Sequence, residues 1–188
     1  MRSIRMRWTL TLVVALGLSG CAGGGADILE HRYDLGIEAP AARMPPLELR
    51  EVRALRPYDG VGMYYRLAYR DGAELARYAQ SRWAAPPAQL VRKQLARAMR
   101  PGSPHCTLDI ELQEFSQVYS AADSSSARLE LSVTLGTPND GSRTLALRLS
   151  EQGGGSSAAQ GASAMRRAVA RAVDDLAKWV DGVAACRG

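Results

Sequence analysis

The sequence has little of the chemistry on which most enzymes depend. It contains two histidines, His31 and His105, and neither lies in an HExxH motif or a similar metal-ligand spacing. It has no GxSxG motif, no P-loop and no GxGxxG motif. We therefore expect no metal site, no cofactor and no enzymatic activity.

Two groupings of titratable residues deserve comparison with catalytic sites. Asp109 and Glu111 are two apart in a predicted strand, which places both carboxylates on one face. No general acid or base partner is visible for them, so a solvent-facing strand surface is the simpler interpretation. His105 precedes Cys106 in a Pro/Gly-rich turn, and we interpret this pair as structural. An envelope hydrolase is the less favoured alternative function.

Basic residues are numerous but are not clustered along the chain. There are 24 Lys and Arg against 19 Asp and Glu, a formal net charge of +5. Residues 1–20 hold three arginines and no acidic residue, so their removal would leave 168 residues with a net charge of +2. No Lys/Arg block indicates a phosphate-binding surface, and we expect no nucleic-acid partner.

The amino-terminal residues have the order of a secretory signal. Arg2, Arg5 and Arg7 precede an uncharged apolar stretch, 8–18, which is too short to span a bilayer. Leu18-Ser19-Gly20-Cys21 follows and resembles the lipobox of bacterial lipoproteins, in which the signal is cut before the cysteine and the thiol is lipidated. We predict cleavage before Cys21 and its lipidation. An ordinary signal peptide with a chance cysteine is the alternative.

The remaining chain suits one domain behind a short tether. Residues 21–29 are small and flexible in composition, and 30–188 is long enough for a single core, which we place in the periplasm. Cys106 and Cys186 are the two cysteines left after lipidation. An even pair in an oxidising compartment predicts one disulfide, and two free thiols are the alternative.

Hydrophobic periodicity predicts a two-layer α/β sandwich. Alternating segments indicate a mostly antiparallel or mixed sheet of about six strands, and two stretches have helical spacing. The predicted order is β-β-β-α-β-β-β-α, with a small strand in front, and the two amphipathic helices cover the sheet. The second helix carries the clearest apolar stripe, at Met165, Val169, Ala172, Val173, Leu176, Val180 and Val183.

Local signals predict where these elements begin, bend and end. Asp71-Gly72 predicts a two-residue hairpin turn, and Pro86-Pro87 predicts a helix start. The alternation breaks at Glu114, which predicts a β-bulge. We expect a polar loop over 121–126 and a flexible connection over 153–163.

Aromatic residues crowd into one stretch, at Tyr58, Tyr64, Tyr65, Tyr69, Tyr78 and Trp83, while the chain has a single phenylalanine. One interpretation is a hairpin whose cross-strand aromatic pairs fill one end of the core. The other is an exposed tyrosine-rich surface for a partner protein. Tyr64 and Tyr65 must point to opposite faces of one strand, so both interpretations stay open.

Together these features resemble the ABC-type transport auxiliary lipoprotein (PqiC-like) family over nearly all of the mature chain. The most specific similarities are the Arg82-Trp83-Ala84-x-x-Pro87 passage and the Leu108-Asp109-Ile110-x-Leu112-x-x-Phe115 strand. The others are Leu18 to Cys21, Tyr33-x-Leu35, Pro57-Tyr58-Asp59, Tyr64-Tyr65, Leu129-x-Leu131 and the alanine-rich last helix.

The resemblance implies a non-catalytic role in lipid transport across the cell envelope. Family members work with a periplasmic MCE-domain protein and its ABC permease and ATPase, and homo-oligomers are expected. Ala22 is consistent with outer-membrane attachment on the periplasmic side, because Asp at this position retains lipoproteins at the inner membrane in enteric-type bacteria. The candidate docking or self-association residues are Tyr64, Tyr65, Tyr69, Tyr78 and Trp83. A pilotin or barrel-associated lipoprotein is the alternative.

Overall fold

Seven strands and two helices make up the part of the chain that the computed structural model describes, residues 29–38, 40–138 and 141–187. The predicted signal peptide, Cys21 and nearly all of the tether lie outside these residues. The elements are β1 (His31–Tyr33), β2 (Leu47–Ala54), β3 (Gly62–Leu67), β4 (Asp71–Trp83), α1 (Pro87–Ala98), β5 (Cys106–Ala121), β6 (Ser124–Thr137), β7 (Gly141–Gln152) and α2 (Ala158–Asp181), with a 3₁₀ turn at Ala184–Cys186.

The strands form one mixed sheet around β5. The order is β1-β4-β3-β5-β6-β7, and β2 also pairs with β5. Both β2 and β3 run parallel to β5, with Leu47 opposite Cys106 and Tyr64 opposite Ser116, so they share one edge of this long strand. Its other edge pairs with β6, and β5, β6 and β7 are antiparallel neighbours. The predicted two-layer α/β class is confirmed.

Both helices lie on the same face of the sheet. Helix α2 contacts β5, β6 and β7, α1 contacts β2, and the two helices contact each other. Alternate residues of β6 face them and are buried, among them Leu129, Leu131 and Val133. Every residue of the predicted α2 stripe is also buried. None of the helices in the described ranges is long and apolar enough to cross a membrane.

The predicted helix starts were right for α1 and late for α2. Helix α1 begins at Pro87, as the proline pair predicts. Helix α2 begins at Ala158, inside the predicted flexible connection, because Ser157 and Gln160 form a reciprocal capping box. Gly161 then lies against the sheet, where a Cβ atom would sit 1.9 Å from Oε1 of Gln117. The small residues here serve close packing of helix on sheet.

The hairpin between β3 and β4 turns earlier than predicted. The turn occupies residues 68–70, where the amide of Arg70 donates to the carbonyl of Leu67, and Asp71 and Gly72 already belong to β4. Gly72 does not adopt a positive φ, so the predicted type I′ turn is wrong. The Asp71 carboxylate instead accepts a hydrogen bond from the amide of Ala73, which fixes the start of the strand.

The predicted bulge is confirmed and the predicted loop over 121–126 is too long. The β5–β6 register shifts between Leu112 and Glu114. Strand β6 already begins at Ser124, with only two residues between it and the end of β5. Ser125 is buried because its hydroxyl bonds to Gln117 and to the carbonyl of Gly155, so tertiary contacts override the polar composition.

Candidate functional site

The crowded tyrosines separate onto the two faces of the sheet. Tyr64 packs edge-to-face on Tyr58, with ring centroids 5.6 Å apart. Its neighbour Tyr65 packs on Tyr78 at 4.7 Å and on Tyr119 at 5.9 Å. Because adjacent residues of a strand point to opposite faces, one stretch of sequence supplies two separate clusters.

The remaining aromatic candidates differ in exposure. Trp83 is 3% exposed and packs edge-to-face on Phe115, with centroids 5.1 Å apart. Its side chain belongs to the core, and so it is not offered to a partner. Tyr69 is 47% exposed at the tip of the β3–β4 hairpin. Of the five predicted interface residues, it presents the most open aromatic ring.

The cluster on the outer face centres on a carboxylate. Glu114 accepts hydrogen bonds from the hydroxyls of Tyr58, at 2.7 Å, and Ser116, and it forms a salt bridge of 3.1 Å with Arg66. Burial acts to raise the pKa of Glu114, but the hydrogen bonds from its three partners outweigh burial, and the pKa is lowered from its ordinary value. Burial and the carboxylate raise the pKa of Tyr58. The group is therefore a fixed ion pair with a neutral phenol.

The cluster on the helix face is a hydrogen-bond network. The Tyr78 hydroxyl donates to Oε1 of Gln117 at 2.8 Å, and Gln117 donates to Ser125 at 2.7 Å. Tyr119 donates to the carbonyl of Ser156 at 2.6 Å. Burial raises the pKa of Tyr78 far above the neutral range, so the phenol stays protonated. The network ties β4, β5 and β6 to the start of α2.

The predicted carboxylate pair lies on the outer face, as its spacing indicates. Asp109 forms a salt bridge with Arg50, and Glu111 forms one with Arg53. These residues border a shallow groove of about 270 Å³. Because an arginine neutralises each carboxylate, the arrangement disfavours either group as a proton donor.

A second groove, of about 230 Å³, lies on the helix layer. Arg166 lines this groove, and we define the basic patch as Arg166 together with Arg43, Lys93, Arg97 and Arg100, which lie on or next to α1. Arg43 donates to the carbonyl of Arg97 at 2.6 Å, and Arg97 donates to the carbonyl of Gly36 at 3.0 Å. None of the five forms a salt bridge with a carboxylate among the residues that the structure describes.

The two cysteines of the domain form a disulfide. Cys106, at the start of β5, and Cys186, in the turn after α2, are bonded with their Cα atoms 5.3 Å apart. The disulfide prediction is confirmed over the free thiols. The Cys106 thiol is therefore unavailable to the exposed His105. Within 29–38, 40–138 and 141–187, no three His, Cys, Asp or Glu residues are grouped so that they could hold a metal ion.

Solved structures share this mixed sheet with two helices on one face. A protein from Xanthomonas campestris, described with the family model DUF330, superposes with a TM-score of 0.61 at 21% identity, covering 79% of this chain and 93% of that one. A second, uncharacterised protein has a TM-score of 0.65 at 15% identity and covers 81% and 99%. At these identities the likeness establishes the fold alone. No family model and no curated protein matches the chain.

Proposed function

We propose that this chain is a lipid-anchored, non-catalytic auxiliary component of an MCE-type ABC lipid transport system. Lipid on Cys21 would hold it on the periplasmic side of the outer membrane. The domain would contact a periplasmic MCE-domain protein that works with an ABC permease and ATPase. This is the role that the resemblance to the ABC-type transport auxiliary lipoproteins implies.

The observation that carries the proposal is the fold likeness to the DUF330 protein, which extends over 93% of that chain. We relate DUF330 to the PqiC-like auxiliary lipoproteins, and the fold likeness then supports the resemblance that the sequence motifs carry. The site geometry supports a non-catalytic role. The half-buried carboxylate of Glu114 is held by an arginine, and the partly buried phenol of Tyr78 is held protonated.

Crosslinking in cells followed by purification of the tagged full chain tests the role. We expect to recover the MCE-domain protein, identified by mass spectrometry. The test variant is Tyr69→Ala, which removes the exposed aromatic of the predicted interface, leaves the core intact and should recover less of the MCE-domain protein than the unchanged chain does. Recovery of only a secretin or an outer-membrane barrel, with no MCE-domain protein, would overturn the transport assignment in favour of a pilotin or barrel-associated lipoprotein.

The anchor is tested separately with Cys21→Ala. We expect this variant to leave the membrane fraction while its domain stays folded, because the core lies beyond the tether. Intact-mass measurement of the membrane form should show a chain that begins at Cys21, with a diacylglycerol on the Cys21 thiol and an acyl chain on the new amino group. A wild-type chain that starts at another residue, or carries no lipid, would contradict the anchor.

A further inference from the structure

Arginines on the two layers of the domain have different partners. On the outer sheet face, salt bridges to carboxylates neutralise each of Arg50, Arg53, Arg66, Arg128 and Arg148. On the helix layer, the basic patch has no such partner in the described ranges, and its two hydrogen-bonded arginines donate to backbone carbonyls. Arg171 of α2 is paired with Glu151, and Arg77 of β4 lacks a carboxylate partner in the described ranges, so the difference concerns the basic patch, where five basic side chains are left without one.

Helix α1 and the residue two positions after its end supply three of these five charges. Lys93 and Arg97 are four residues apart, which places them on one side of the helix, and Arg100 follows in the extended segment after it. The helix contains no acidic residue. Its position beside the groove brings Arg166 of α2 near the same surface.

Three acidic residues lie close by, and two have amide partners. Asp34 accepts a hydrogen bond from the amide of Gly36, and Asp174 accepts one from the amide of Ala42. Glu38 borders the groove. Five basic side chains against these three carboxylates leave an excess of positive charge.

An aliphatic side chain projects from the middle of this basic surface. Ile37 is 87% exposed. The preceding Gly36 has a φ of +82°, and its carbonyl accepts hydrogen bonds from Gln94 and Arg97. The side chain of Arg166 lies against Gly36. The loop is thus held at its base, and it presents Ile37 outward among arginines.

The chain enters the domain only a few residues away. Leu29, the first described residue, is 78% exposed and lies eight positions before Ile37. Residues 21–29 can extend to about 30 Å at most. If Cys21 carries the lipid, Leu29 stays within about 30 Å of the bilayer, and the surface around Ile37 follows it after eight more residues, so the tether keeps this surface close to the membrane.

We propose that the basic patch and Ile37 bind the surface of an anionic phospholipid bilayer, so that the anchored domain lies with its helix layer against the lipid headgroups. The proposal rests on the lipid anchor of the proposed function. Basic side chains around an exposed aliphatic residue suit such a surface, because the charges attract the headgroups and the aliphatic side chain enters the boundary of the acyl chains. The outer sheet face would then point to the periplasm.

Vesicle flotation with the mature chain, residues 21–188 carrying Cys21→Ala, measures this contact without the lipid. We expect binding to vesicles of 30% phosphatidylglycerol in phosphatidylcholine, on the order of the anionic content that basic patches recognise. Pure phosphatidylcholine should bind little, and 0.5 M salt should weaken binding to the anionic vesicles, at roughly a 4 Å screening length. Circular dichroism checks folding of each protein.

The decisive variant is Lys93→Gln/Arg100→Gln/Arg166→Gln, whose side chains make no hydrogen bond or salt bridge with described residues. The matched control is Arg70→Gln/Arg77→Gln/Arg143→Gln, which removes the same charge from exposed strand and turn positions that also lack carboxylate partners there. We expect the patch variant to bind about tenfold or more weakly and the control to change less than about twofold. Ile37→Ser should weaken binding severalfold.

Two outcomes would overturn the proposal. One is an equal loss in both triple variants, which would indicate general charge attraction. The other is no binding to anionic vesicles by the folded chain. If the proposal is overturned in either way and the patch variant also fails to crosslink the MCE-domain protein, the patch is a protein interface instead. Vesicle binding needs no transport partner, so failure of the pull-down alone would count against the proposed function and leave this inference standing.

Discussion

The outer sheet face and the helix layer use the same residue, arginine, in different ways. Neighbouring strands hold side chains about 5 Å apart in a fixed register, so an arginine on one strand meets a carboxylate on the next. The salt bridge from Arg53 on β2 to Glu111 on β5 is an example. Helix α1 has no acidic residue to offer, and there Arg97 bonds to a carbonyl. The number of arginines on a surface therefore does not determine its net charge, which also depends on the carboxylates beside them.

The same two surfaces should contribute very differently to stability. The sheet face turned toward the helices is apolar and buried, whereas the opposite face carries ion pairs in contact with water. Apolar burial dominates folding free energies, while exposed ion pairs contribute little. Variants on the two faces of a single strand can therefore test the difference directly.

The largest expected effect is on the helix-facing side. Leu131→Ala should lower the free energy of unfolding by about 2–5 kcal/mol, because it leaves a cavity beneath α2. Its neighbour Ser132 points to the outer face, and Ser132→Ala should cost less than about 0.5 kcal/mol. Urea unfolding followed by circular dichroism compares the two. Equal costs would break the distinction between the faces.

The disulfide joins the sheet to the end of the helix layer. Cys106→Ala/Cys186→Ala should destabilise the protein by about 2–4 kcal/mol. The disulfide links residues 80 positions apart, and its removal raises the conformational entropy of the unfolded chain. The reduced wild type should unfold at the same urea concentration as the double variant. If reduction has no effect on the wild type, the link contributes nothing to holding the layers together.

Glu114 should be the exception on the outer face, since it is half-buried with three partners. Glu114→Gln should cost about 1–3 kcal/mol at neutral pH. The pKa of Glu114 is lowered on folding, so its contribution is fully present above about pH 4.5, the unfolded value, and is lost as the pH falls through the folded pKa. Unfolding curves from pH 7 to pH 2 should converge with those of the variant. A constant difference would exclude ionised Glu114 as the cause.

The smallest effect should come from an exposed pair. Arg53→Gln removes the partner of Glu111 and should cost between about 0 and 1 kcal/mol, with less effect at high salt. Comparison of urea midpoints in 0.05 M and 1 M salt measures both, since screening shortens from about 14 Å to 3 Å. A larger loss of unfolding free energy that does not depend on salt would mean that this part of the outer face is buried like the core.

Periodicity predicted the layers, but it could not predict the pairing of strands. The alternation of β6 and the stripe of α2 identify which side chains are buried, because burial repeats every two or every 3.6 residues. Nothing local shows that β2 and β3 both run along one edge of β5. That arrangement depends on contacts such as Leu47 with Cys106, far apart in sequence. The hairpin turn was misplaced because Asp71 accepts a hydrogen bond from the amide of Ala73 at the start of β4. Gly72 therefore lies in the strand and does not adopt the positive φ expected of a turn.

The candidate sites show the same limit: local patterns could be predicted from the sequence, and partners distant in sequence could not. Strand alternation correctly places Tyr64 and Tyr65 on opposite faces, and the cysteine count predicts the disulfide. The partners of Glu114 could not be foreseen, because Tyr58 lies 56 positions away. The basic patch was also missed, since its members come from three separate segments and form no run in the sequence. Only the acid-free composition of α1 signals it.

The short strand β1 determines how a mechanical load would enter the domain. Its three residues pair with β4 at the edge of the sheet, His31 opposite Ser81. A force applied at Leu29 is borne first by this pairing and next by the hydrogen bonds that Gln94 and Arg97 make to the carbonyl of Gly36. The force would reach strands β5 and β6 and helix α2 only after both connections had broken. Tension on the amino-terminal end would therefore be taken up in two steps at the edge of the domain, which would remove Leu35 from the core before the force reached the central strands.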